Sequence, residues 1–483
     1  MISEIKALEK ASQALDPDKE NREKIRSEIE KKVARFVEKL PRGSVFEEEG
    51  AEKKLDALPP KEAGYNREKI LATIEESLLK PGVNMASGGL LAYIPGGGLY
   101  VSALADYLTA ATDKYAGVYE TSPGAARMEN LMVRWLCNLV GYDDDSFGHL
   151  SSGGSMANLT AIVTARDEIK LLENATEKVI YFTHQVHHCL IKALRISGLT
   201  QCKLQLVPLT EDFKMDVTAL EKLVVQHKKE GLIPSLIVGS AGTTDLGRID
   251  DIQAIHKIAK RENMWFHVDG AYGGFFLLTE MGKRKLKGIQ EADSVVLDPH
   301  KGMFLPYGSG AVLIKKGRQL FNSFYMKANY LQDTQVEIED LADFNEVSPS
   351  DISPELSRHF RGLRMWLPLQ LYGEKAFRAA LDEKILLTRY FHEKVQKLGF
   401  ETGPYPELSV TIFRYMPEEY KDDITRINDF NRKLMQAVQQ EKKVFIASTT
   451  IDGVNWLRLA VLSFRTHLYH IESLLASLKK LVD

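Results

Sequence analysis

The middle of this sequence alternates short apolar runs with amphipathic helical patterns, and this alternation constrains the fold more than any other feature. The apolar runs are continuous and rich in Val and Ile, which is typical of strands buried on both faces of a sheet. They are Val179–Phe182, Leu204–Leu209, Ser235–Ser240, Trp265–Asp269, Ser294–Leu297 and Gly310–Lys315. The helical patterns between them are Met156–Asp167, Val217–Lys229 and Asp251–Glu262. The alternation predicts an α/β domain with a mainly parallel sheet, whose ligands lie at the carboxyl ends of the strands.

Segments of different character flank this region. The N-terminal stretch predicts charged amphipathic helices, which must cover their apolar faces on the rest of the chain or on a second copy of it. After Arg361 a long helix, short strands and a last helix predict a smaller α+β domain. We predict that residues 1–98 are a helical segment packing on a partner subunit, that residues 99–377 form the large α/β domain, and that residues 378–483 form a small C-terminal α+β domain.

The composition excludes several classes of protein. The chain has 483 residues, of which 44% are hydrophobic and 27% charged, and its formal net charge is −3. These values argue against wholesale disorder and against a nucleic-acid partner. No apolar run reaches the roughly 18 residues of a membrane span, and the charged N-terminus lacks the apolar region of a signal peptide. Cys137, Cys189 and Cys202 form neither a disulfide framework nor a CxxC pair, so we expect a cytoplasmic enzyme without a metal.

A run of small residues, Ser151–Ser155, leads directly into a helical pattern. Gly153 and Gly154 allow a ligand to approach the backbone, and the free N–H groups of a helix N-terminus favour an anion. The run therefore predicts a phosphate cradle. A plain glycine-rich turn with Ser155 as the helix cap fits equally well, because the segment matches neither a Walker A loop nor GxGxxG.

Two of the apolar runs are followed by charged residues that a buried strand end does not tolerate without a partner. Asp269 needs a cation such as a protonated pyridine nitrogen, or else loop N–H groups that satisfy it structurally. Lys301 can form a Schiff base with an aldehyde if its pKa is lowered or a cation lies nearby, the alternative being a solvated surface lysine. A ring-nitrogen partner, an aldehyde partner and a phosphate cradle together meet the binding needs of pyridoxal 5'-phosphate (PLP).

The set Ser151–Ser155, His187, Asp269–Tyr272 and Asp298–Lys301 resembles the group II PLP-dependent amino-acid decarboxylases. That family includes the aromatic-L-amino-acid, glutamate, cysteine-sulfinate and diaminobutyrate decarboxylases. The resemblance implies the aspartate-aminotransferase-like PLP transferase fold, called fold type I, with a seven-stranded, parallel-rich sheet in the large domain. It also implies a homodimer with active sites at the interface. The implied reaction converts an L-amino acid to its amine and CO2 through an external aldimine and a quinonoid.

The resemblance also implies catalytic roles. Lys301 would carry PLP as a Schiff base, and Asp269 would pair with the pyridine nitrogen and keep it protonated. His187 would stack on one face of the ring, with the neighbouring His188 as the weaker candidate by the pattern of the motif. Thr244 would lie beside the cofactor and help to orient it.

The remaining cofactor contacts follow from the same resemblance. Gly154, Ser155 and His300 would hold the phosphate, and Ala271 would pack on the ring face opposite the histidine. Asp298 would lie nearby. Many family members have Asn at that position, and a carboxylate next to a phosphate is unfavourable unless it accepts hydrogen bonds.

The substrate side is assigned to Tyr93, Ile94, Pro95 and Gly96. Tyr93 and Ile94 favour an apolar or aromatic side chain, and the surrounding segment has no Arg to hold an acidic one, although both residues also suit a core. We expect an aromatic amino acid such as tryptophan, tyrosine or Dopa. Acidic, diamino and aliphatic substrates are the alternatives.

One segment departs from the family pattern. Many members protonate the substrate carbon from a tyrosine on a mobile loop of the other subunit, but the corresponding stretch here, Leu331–Leu356, contains no tyrosine. This departure leaves open an aldehyde synthase, in which decarboxylation is coupled to oxidative deamination. Two further alternatives are a PLP-binding protein without turnover and a nicotinamide dehydrogenase, the latter disfavoured because no GxGxxG follows a first strand.

Overall fold

The structure, a computed structural model, describes residues 1–41, 43–47, 50–94, 96–327 and 346–483. Its α-helices are α1 (Ile2–Ser12), α2 (Lys19–Lys39), α3 (Arg67–Thr73), α4 (Tyr100–Ala111), α5 (Pro123–Val140), α6 (Gly154–Glu168), α7 (His188–Ile196), α8 (Val217–Lys229), α9 (Ile252–Arg261), α10 (Glu280–Lys285), α11 (Pro299–Gly302), α12 (Gly317–Phe324), α13 (Gly362–Lys397), α14 (Ile424–Gln440) and α15 (Leu468–Val482). Its strands are β1 (Phe46–Glu47), β2 (Gly82–Val83), β3 (Phe147–Ser151), β4 (Lys178–Phe182), β5 (Lys203–Leu206), β6 (Ile233–Ser240), β7 (Trp265–Asp269), β8 (Ser294–Leu297), β9 (Gly310–Ile314), β10 (Glu401–Thr402), β11 (Val410–Arg414), β12 (Ala447–Ile451) and β13 (Val454–Ala460).

A seven-stranded sheet in the order β3-β9-β8-β7-β6-β4-β5 forms the centre of the large domain. The strands from β4 to β8 pair in parallel, whereas β9 runs antiparallel to both of its neighbours, β3 and β8. This mixed but parallel-rich sheet is the one expected. Its parallel strands direct their carboxyl ends to one edge, which is where ligands bind in such sheets.

The apolar pattern predicts six of the seven strands, and β3 is the exception. Gly148, His149 and Ser151 interrupt its apolar character, although every residue of the strand is buried. It pairs with β9, which lies more than 150 residues later in the chain, and it packs against α5. The three predicted helical patterns correspond to α6, α8 and α9, and α8 has the predicted bounds. The shorter helices α7, α10 and α11 were not predicted.

A second, antiparallel sheet in the order β10-β11-β13-β12 belongs to the C-terminal part of the chain. The long helix α13 leads into it and is broken at Gly373, where φ is 67° and ψ is 163°. That positive φ is one that glycine adopts at little cost. The division of the chain at residues 98 and 377 stays a prediction.

The N-terminal helices bury little of their own surface. Neither α1 nor α2 has a fully buried residue, so the rest of the chain covers their apolar faces only in part. Among the described helices, none combines the length and the apolar character that crossing a bilayer requires. The cytoplasmic location stays a prediction.

Candidate active site

A cavity of about 460 Å³ lies at the carboxyl-end edge of the large sheet. It collects residues that are far apart in sequence, because they lie at or just after the ends of five strands, β3, β4, β6, β7 and β8. The residues proposed for the cofactor all line it: Gly154, Ser155, His187, Thr244, Asp269, Ala271, Asp298, His300 and Lys301. The motifs identified in the sequence therefore form one site.

Asp269 is the last residue of β7, where it pairs in register between Ser240 of β6 and Val296 of β8. Its Oδ1 accepts a hydrogen bond of 3.0 Å from the Ala271 N–H, and its Oδ2 accepts one of 3.3 Å from Asn158 Nδ2. The Ala271 N–H and the Asn158 amide thus hold the carboxylate by hydrogen bonds, and Asp269 also lines the cavity, where a ligand can reach it.

Lys301 lies in the short helix α11, which follows β8, and its Nζ is 3.0 Å from Asp298 Oδ2. Burial lowers the pKa of this amine, but the negative charges of Asp298 and Asp269 raise it by more than burial lowers it. The pKa of Lys301 therefore lies above its ordinary value. The expectation of a lowered pKa or a neighbouring cation is therefore not met. The groups nearest this amine are carboxylates, so it must give up a proton before it can add to an aldehyde.

Asp298 is almost completely buried, with 1% of its surface exposed. One carboxylate oxygen, Oδ2, pairs with Lys301 and lies 3.8 Å from His300 Nε2. The other oxygen, Oδ1, is buried and makes no hydrogen bond within the described part of the chain. A carboxylate at this position is thus tolerated because Lys301 neutralises it.

The predicted phosphate cradle lies at the N-terminus of α6. No side chain caps this helix: Gly153 is the N-cap residue, and Ser155 lies in the first turn instead of capping it. Gly153 has a φ of 149°, which favours glycine, and a Cβ on Gly154 would come within 2.8 Å of Asp298 Oδ2. These glycines leave room at an uncapped helix N-terminus, which favours an anion.

His187, and not His188, lies at the cavity. His187 caps α7 by accepting a hydrogen bond from the Cys189 N–H at Nδ1, over 3.3 Å. Burial, helped by the charge of His188, lowers the pKa of His187. Its ring is therefore neutral with the proton on Nε2, which suits it to stacking on a flat ligand.

His300 and Thr244 complete the polar wall. His300 Nδ1 donates a hydrogen bond to the Ser309 carbonyl, so Nε2 is the ring nitrogen left for a ligand. Thr244 is exposed to the cavity, and its carbonyl accepts a hydrogen bond from the buried guanidinium of Arg458. That guanidinium also binds the Asp245 and Tyr93 carbonyls, so it fixes the loop after β6.

Residues 51–416 match the model of the pyridoxal-dependent decarboxylase conserved domain. The chain belongs to this family. It is 30% identical over 423 residues to the aromatic-L-amino-acid decarboxylase of Bacillus atrophaeus, covering 87% of each protein. It is 26% identical over 417 residues to the phenylacetaldehyde synthase of Arabidopsis thaliana, covering 84% of each.

The fold of this decarboxylase is shared with solved structures. The Oryza sativa TDC, solved with PLP and tryptamine, superposes with a TM-score of 0.88 at 21% identity, over 96% of this chain and 99% of that one. This similarity confirms the expected fold type I architecture. The chain is thus a carboxy-lyase of the PLP-dependent family, and it acts on a small-molecule amino acid.

The donor set of the cavity fits PLP. A partly buried lysine and a partly buried aspartate, Lys301 and Asp269, lie on its wall, and the cradle at Gly154 leaves space that a Cβ would fill. These are the groups that an aldehyde, a pyridine nitrogen and a phosphate require. The cofactor of the family therefore has a matching residue in this chain for each of its three polar groups.

The described residues that were assigned to the substrate side do not line the cavity. Tyr93 and Ile94 are not among the described residues that line the cavity; Tyr93 is half exposed, and its ring centroid lies 6.4 Å from that of Phe445. Gly96 packs on the backbone of the Lys301 turn, because a Cβ there would meet the His300 carbonyl at 2.2 Å. Pro95 lies outside the described residues. The assignment of this segment to the substrate stays a prediction.

The cavity also contains residues that the motifs did not indicate, including Asn158, Gln185, Cys189 and Tyr307. Burial raises the pKa of the Cys189 thiol to about 12, so this cysteine is not a reactive thiolate. A signal for Asn158 was available, because it follows Gly154 by one helical turn and so shares its face. Tyr307 has no such signal, since only the loop after α11 brings it to the cavity.

Proposed function

We propose that this enzyme converts an aromatic L-amino acid to the corresponding amine and CO2. The observation that carries the proposal is the charge of the cavity wall. Among the described lining residues there is no arginine, and the one lysine, Lys301, is paired with Asp298. An acidic side chain would find no free cation there. The aromatic-L-amino-acid decarboxylase relative and the half-exposed ring of Tyr307 at the cavity support an aromatic substrate.

Each residue acts from the atom that faces the cavity. When bound, PLP supplies an electron-accepting ring that stabilises the charge left on the substrate carbon as CO2 departs. Lys301 would hold the cofactor through its aldehyde and, whenever its amine is free, would pair with Asp298. Asp269 would bind the ring nitrogen. His187 and Ala271 would lie against the ring, and Thr244 would help to orient the cofactor.

The phosphate anchor uses neutral donors and one imidazole. Gly154 and Ser155 offer the first-turn N–H groups of α6. His300, whose Nδ1 proton is given to the Ser309 carbonyl, donates to the phosphate from Nε2 when the ring carries its second proton. Asp298 does not touch the phosphate in this proposal. It pairs with the protonated Lys301 amine instead, and this pairing neutralises the carboxylate, so that it can lie near the phosphate.

A substrate panel tests the proposal. The PLP-loaded protein is incubated separately with tryptophan, tyrosine, Dopa, glutamate, diaminobutyrate and leucine, and CO2 and product mass are followed together. We expect an amine from at least one aromatic substrate. An amine from glutamate or diaminobutyrate alone would contradict the proposal that the substrate has an aromatic side chain, although it would not contradict the family.

We further propose that the enzyme is a homodimer. The exposed side chains of α4 form one apolar stripe, made up of Tyr100, Leu104, Tyr107 and Leu108. The helices α1 and α2, which bury no residue, add further uncovered apolar surface. Stripes of this kind mark association surfaces, and a second copy of the chain supplies a self-complementary cover.

Sedimentation of a charged variant tests the dimer. Leu104→Asp should shift the protein from dimer to monomer and remove activity, if the site needs the interface. Leu172→Asp is the matched control, because Leu172 is a similarly exposed leucine outside the stripe, with 53% against 47% exposure. A wild-type monomer that remains fully active would contradict the proposal.

The segment Leu331–Leu356 favours a second candidate, the aldehyde synthase, because it lacks a tyrosine. Residues 328–345 lie outside the described residues, so the candidate rests on the sequence and on the phenylacetaldehyde synthase relative. In that reaction dioxygen and water are consumed, and aldehyde, CO2, ammonia and hydrogen peroxide are formed. Peroxide equal to the CO2 released would favour it, and amine equal to CO2 would exclude it.

A further inference from the structure

We propose that Asn158 is a positioning residue for the cofactor, whose amide aims Asp269 at the ring nitrogen and links it to the phosphate cradle. The amide is itself held by a chain of hydrogen bonds that begins at Trp265 and passes through Ser294 and His267. This inference concerns the cofactor alone, so it does not depend on which amino acid is the substrate.

The orientation of the Asn158 amide follows from its partners. Its Nδ2 lies 2.9 Å from the Gly154 carbonyl, which can only accept, so this atom must be the NH2 group. The same NH2 group donates to Asp269 Oδ2 over 3.3 Å. The carbonyl oxygen, Oδ1, then faces His267 Nε2 at 2.8 Å. An amide turned the other way would place its oxygen against two acceptors.

The direction of every other bond follows in turn. Because Asn158 Oδ1 only accepts, His267 Nε2 must carry a proton. Burial lowers the pKa of His267 to about 4, so the ring is neutral and its Nδ1 accepts. Ser294 Oγ, at 2.8 Å, is the donor to Nδ1, and it accepts a bond of 2.9 Å from Trp265 Nε1.

The chain is a closed and buried unit. Asn158, His267 and Ser294 are 0% exposed, and Trp265 is 3% exposed. Trp265, His267 and Asp269 alternate along β7, so their side chains lie on the same face of the sheet. A Trp N–H can only donate, and a carboxylate can only accept, so the chain has one fixed direction from Trp265 to Asp269.

The consequence is a fixed site for the ring nitrogen. The Asn158 NH2 group occupies the inner side of Asp269 Oδ2, so the carboxylate cannot rotate freely and its remaining lone pairs face the cavity. The same NH2 group also donates to the Gly154 carbonyl, and thereby sets the start of α6 relative to Asp269. The distance between the phosphate and ring-nitrogen sites is thus set partly by one side chain.

A PLP analogue with C–H in place of the ring nitrogen separates positioning from folding. It keeps the aldehyde and the phosphate but cannot bond to Asp269. The measured quantity is the ratio of the dissociation constants of the analogue and of PLP for the apoenzyme, without any substrate. For wild type we expect this ratio to be large, and Asp269→Ala should remove most of it.

Asn158→Ala should lower that ratio about tenfold, as expected for loss of a hydrogen bond to a charged group. Asn431→Ala is the matched control. Asn431 is also a fully buried helical asparagine whose Nδ2 bonds a carbonyl one turn earlier, that of Ile427, over 2.9 Å. It lies in the small domain, so its loss should lower stability but leave the ratio unchanged.

The outcomes separate cleanly. If Asn158→Ala weakens PLP and its analogue equally, Asn158 is only a structural residue and the proposal is wrong. If that variant does not fold, Ser294→Ala takes its place, because it removes the donor to His267 while keeping the Asn158 amide. A ratio of dissociation constants lowered about threefold would support the chain of hydrogen bonds. An unchanged ratio would overturn it. A ratio unaffected by Asp269→Ala would also overturn the proposal. Failure of the substrate assignment would show in the substrate panel instead.

Discussion

Lys301 Nζ lies 3.0 Å from Asp298 Oδ2, three residues earlier in the same turn. This pairing makes the amine harder to deprotonate. Burial lowers the pKa of Lys301, but the negative charge of Asp298 helps to outweigh burial and to raise the pKa above its ordinary value. In the absence of cofactor, this pairing holds Lys301 as an ammonium.

Asp298→Asn should shift the pH dependence of cofactor loading. Without the Asp298 charge the pKa of Lys301 falls, so a larger fraction of the amine is neutral at a given pH. The rate at which the apoenzyme forms the Schiff base should then reach its half-maximum at a lower pH than in wild type. Stopped-flow absorbance measures this rate. Asp293→Asn, at the other end of β8, is the control, and a half-maximum that stays in place or rises would refute the role of Asp298.

Lys301→Ala should abolish the Schiff base and lower the turnover rate by at least about a thousandfold, because the covalent attachment and the amine are both lost. Absorbance of the loaded protein and CO2 release report the two effects. Lys315→Ala serves as the control, since Lys315 also follows a strand of the sheet but pairs with Glu291, at 3.1 Å. Normal turnover without Lys301 would rule out the assigned site.

Gly154→Ala should weaken PLP binding by about tenfold or more, because the added Cβ would lie 2.8 Å from Asp298 Oδ2 and disturb the helix start that receives the phosphate. Equilibrium titration of the apoenzyme with PLP measures the change. Gly124→Ala offers a matched comparison in the first turn of α5, where a Cβ meets nothing within 4 Å. Equal affinities for the two variants would argue against a cradle at α6.

Much of this site was predictable because its residues mark the ends of strands. Asp269 and Asp298 follow runs of buried apolar residues, and a charge at such a point needs a local reason. Ser155 shows the limit of that reasoning: its type suits a helix cap, but the helix begins one residue earlier, at Gly154. Helix starts are set by backbone geometry that residue type does not fix.

What the sequence did not predict depends on contacts between distant segments. Strand β3 is defined by its pairing with β9 and its packing against α5, and its own residues carry no strand pattern. Asn158 contacts His267 across 109 positions, and Glu407 contacts Lys214 across 193. No local spacing encodes such pairs, so only the three-dimensional structure reveals them.

Glu407 is a buried carboxylate just before β11 that binds residues more than 100 positions earlier in the chain. Its Oε1 lies 2.9 Å from Lys214 Nζ and 3.0 Å from Lys285 Nζ, and its Oε2 accepts a bond of 3.1 Å from the Ile249 N–H. Burial raises the pKa of Glu407, but the hydrogen bond from Lys214 and the charge of Arg248 outweigh burial and leave the pKa below its ordinary value. Ionised Glu407 therefore stabilises the folded protein.

Glu407→Gln should lower the free energy of unfolding by about 2 kcal/mol at pH 7, since it removes the buried charge that faces the buried Arg248 guanidinium and the partly exposed amines of Lys214 and Lys285. A carboxyl whose pKa is lowered on folding contributes its stability above the pKa of the unfolded state and loses it as the pH falls through the folded pKa. The difference from wild type should therefore shrink below about pH 4. Urea unfolding at both pH values measures it. Glu401→Gln, which breaks a surface pair with Arg414, should change stability little; an equal loss would contradict the role of burial.

Competition for the site tests the central claim most directly. The PLP-loaded enzyme receives an equimolar mixture of tryptophan, tyrosine, Dopa, glutamate and diaminobutyrate, each labelled with a distinguishable isotope pattern, and the amines formed are measured by mass. The account predicts that an aromatic amine forms fastest and in a one-to-one ratio with CO2. Faster release of the acidic or diamino product, or no amine from any aromatic substrate, would contradict it.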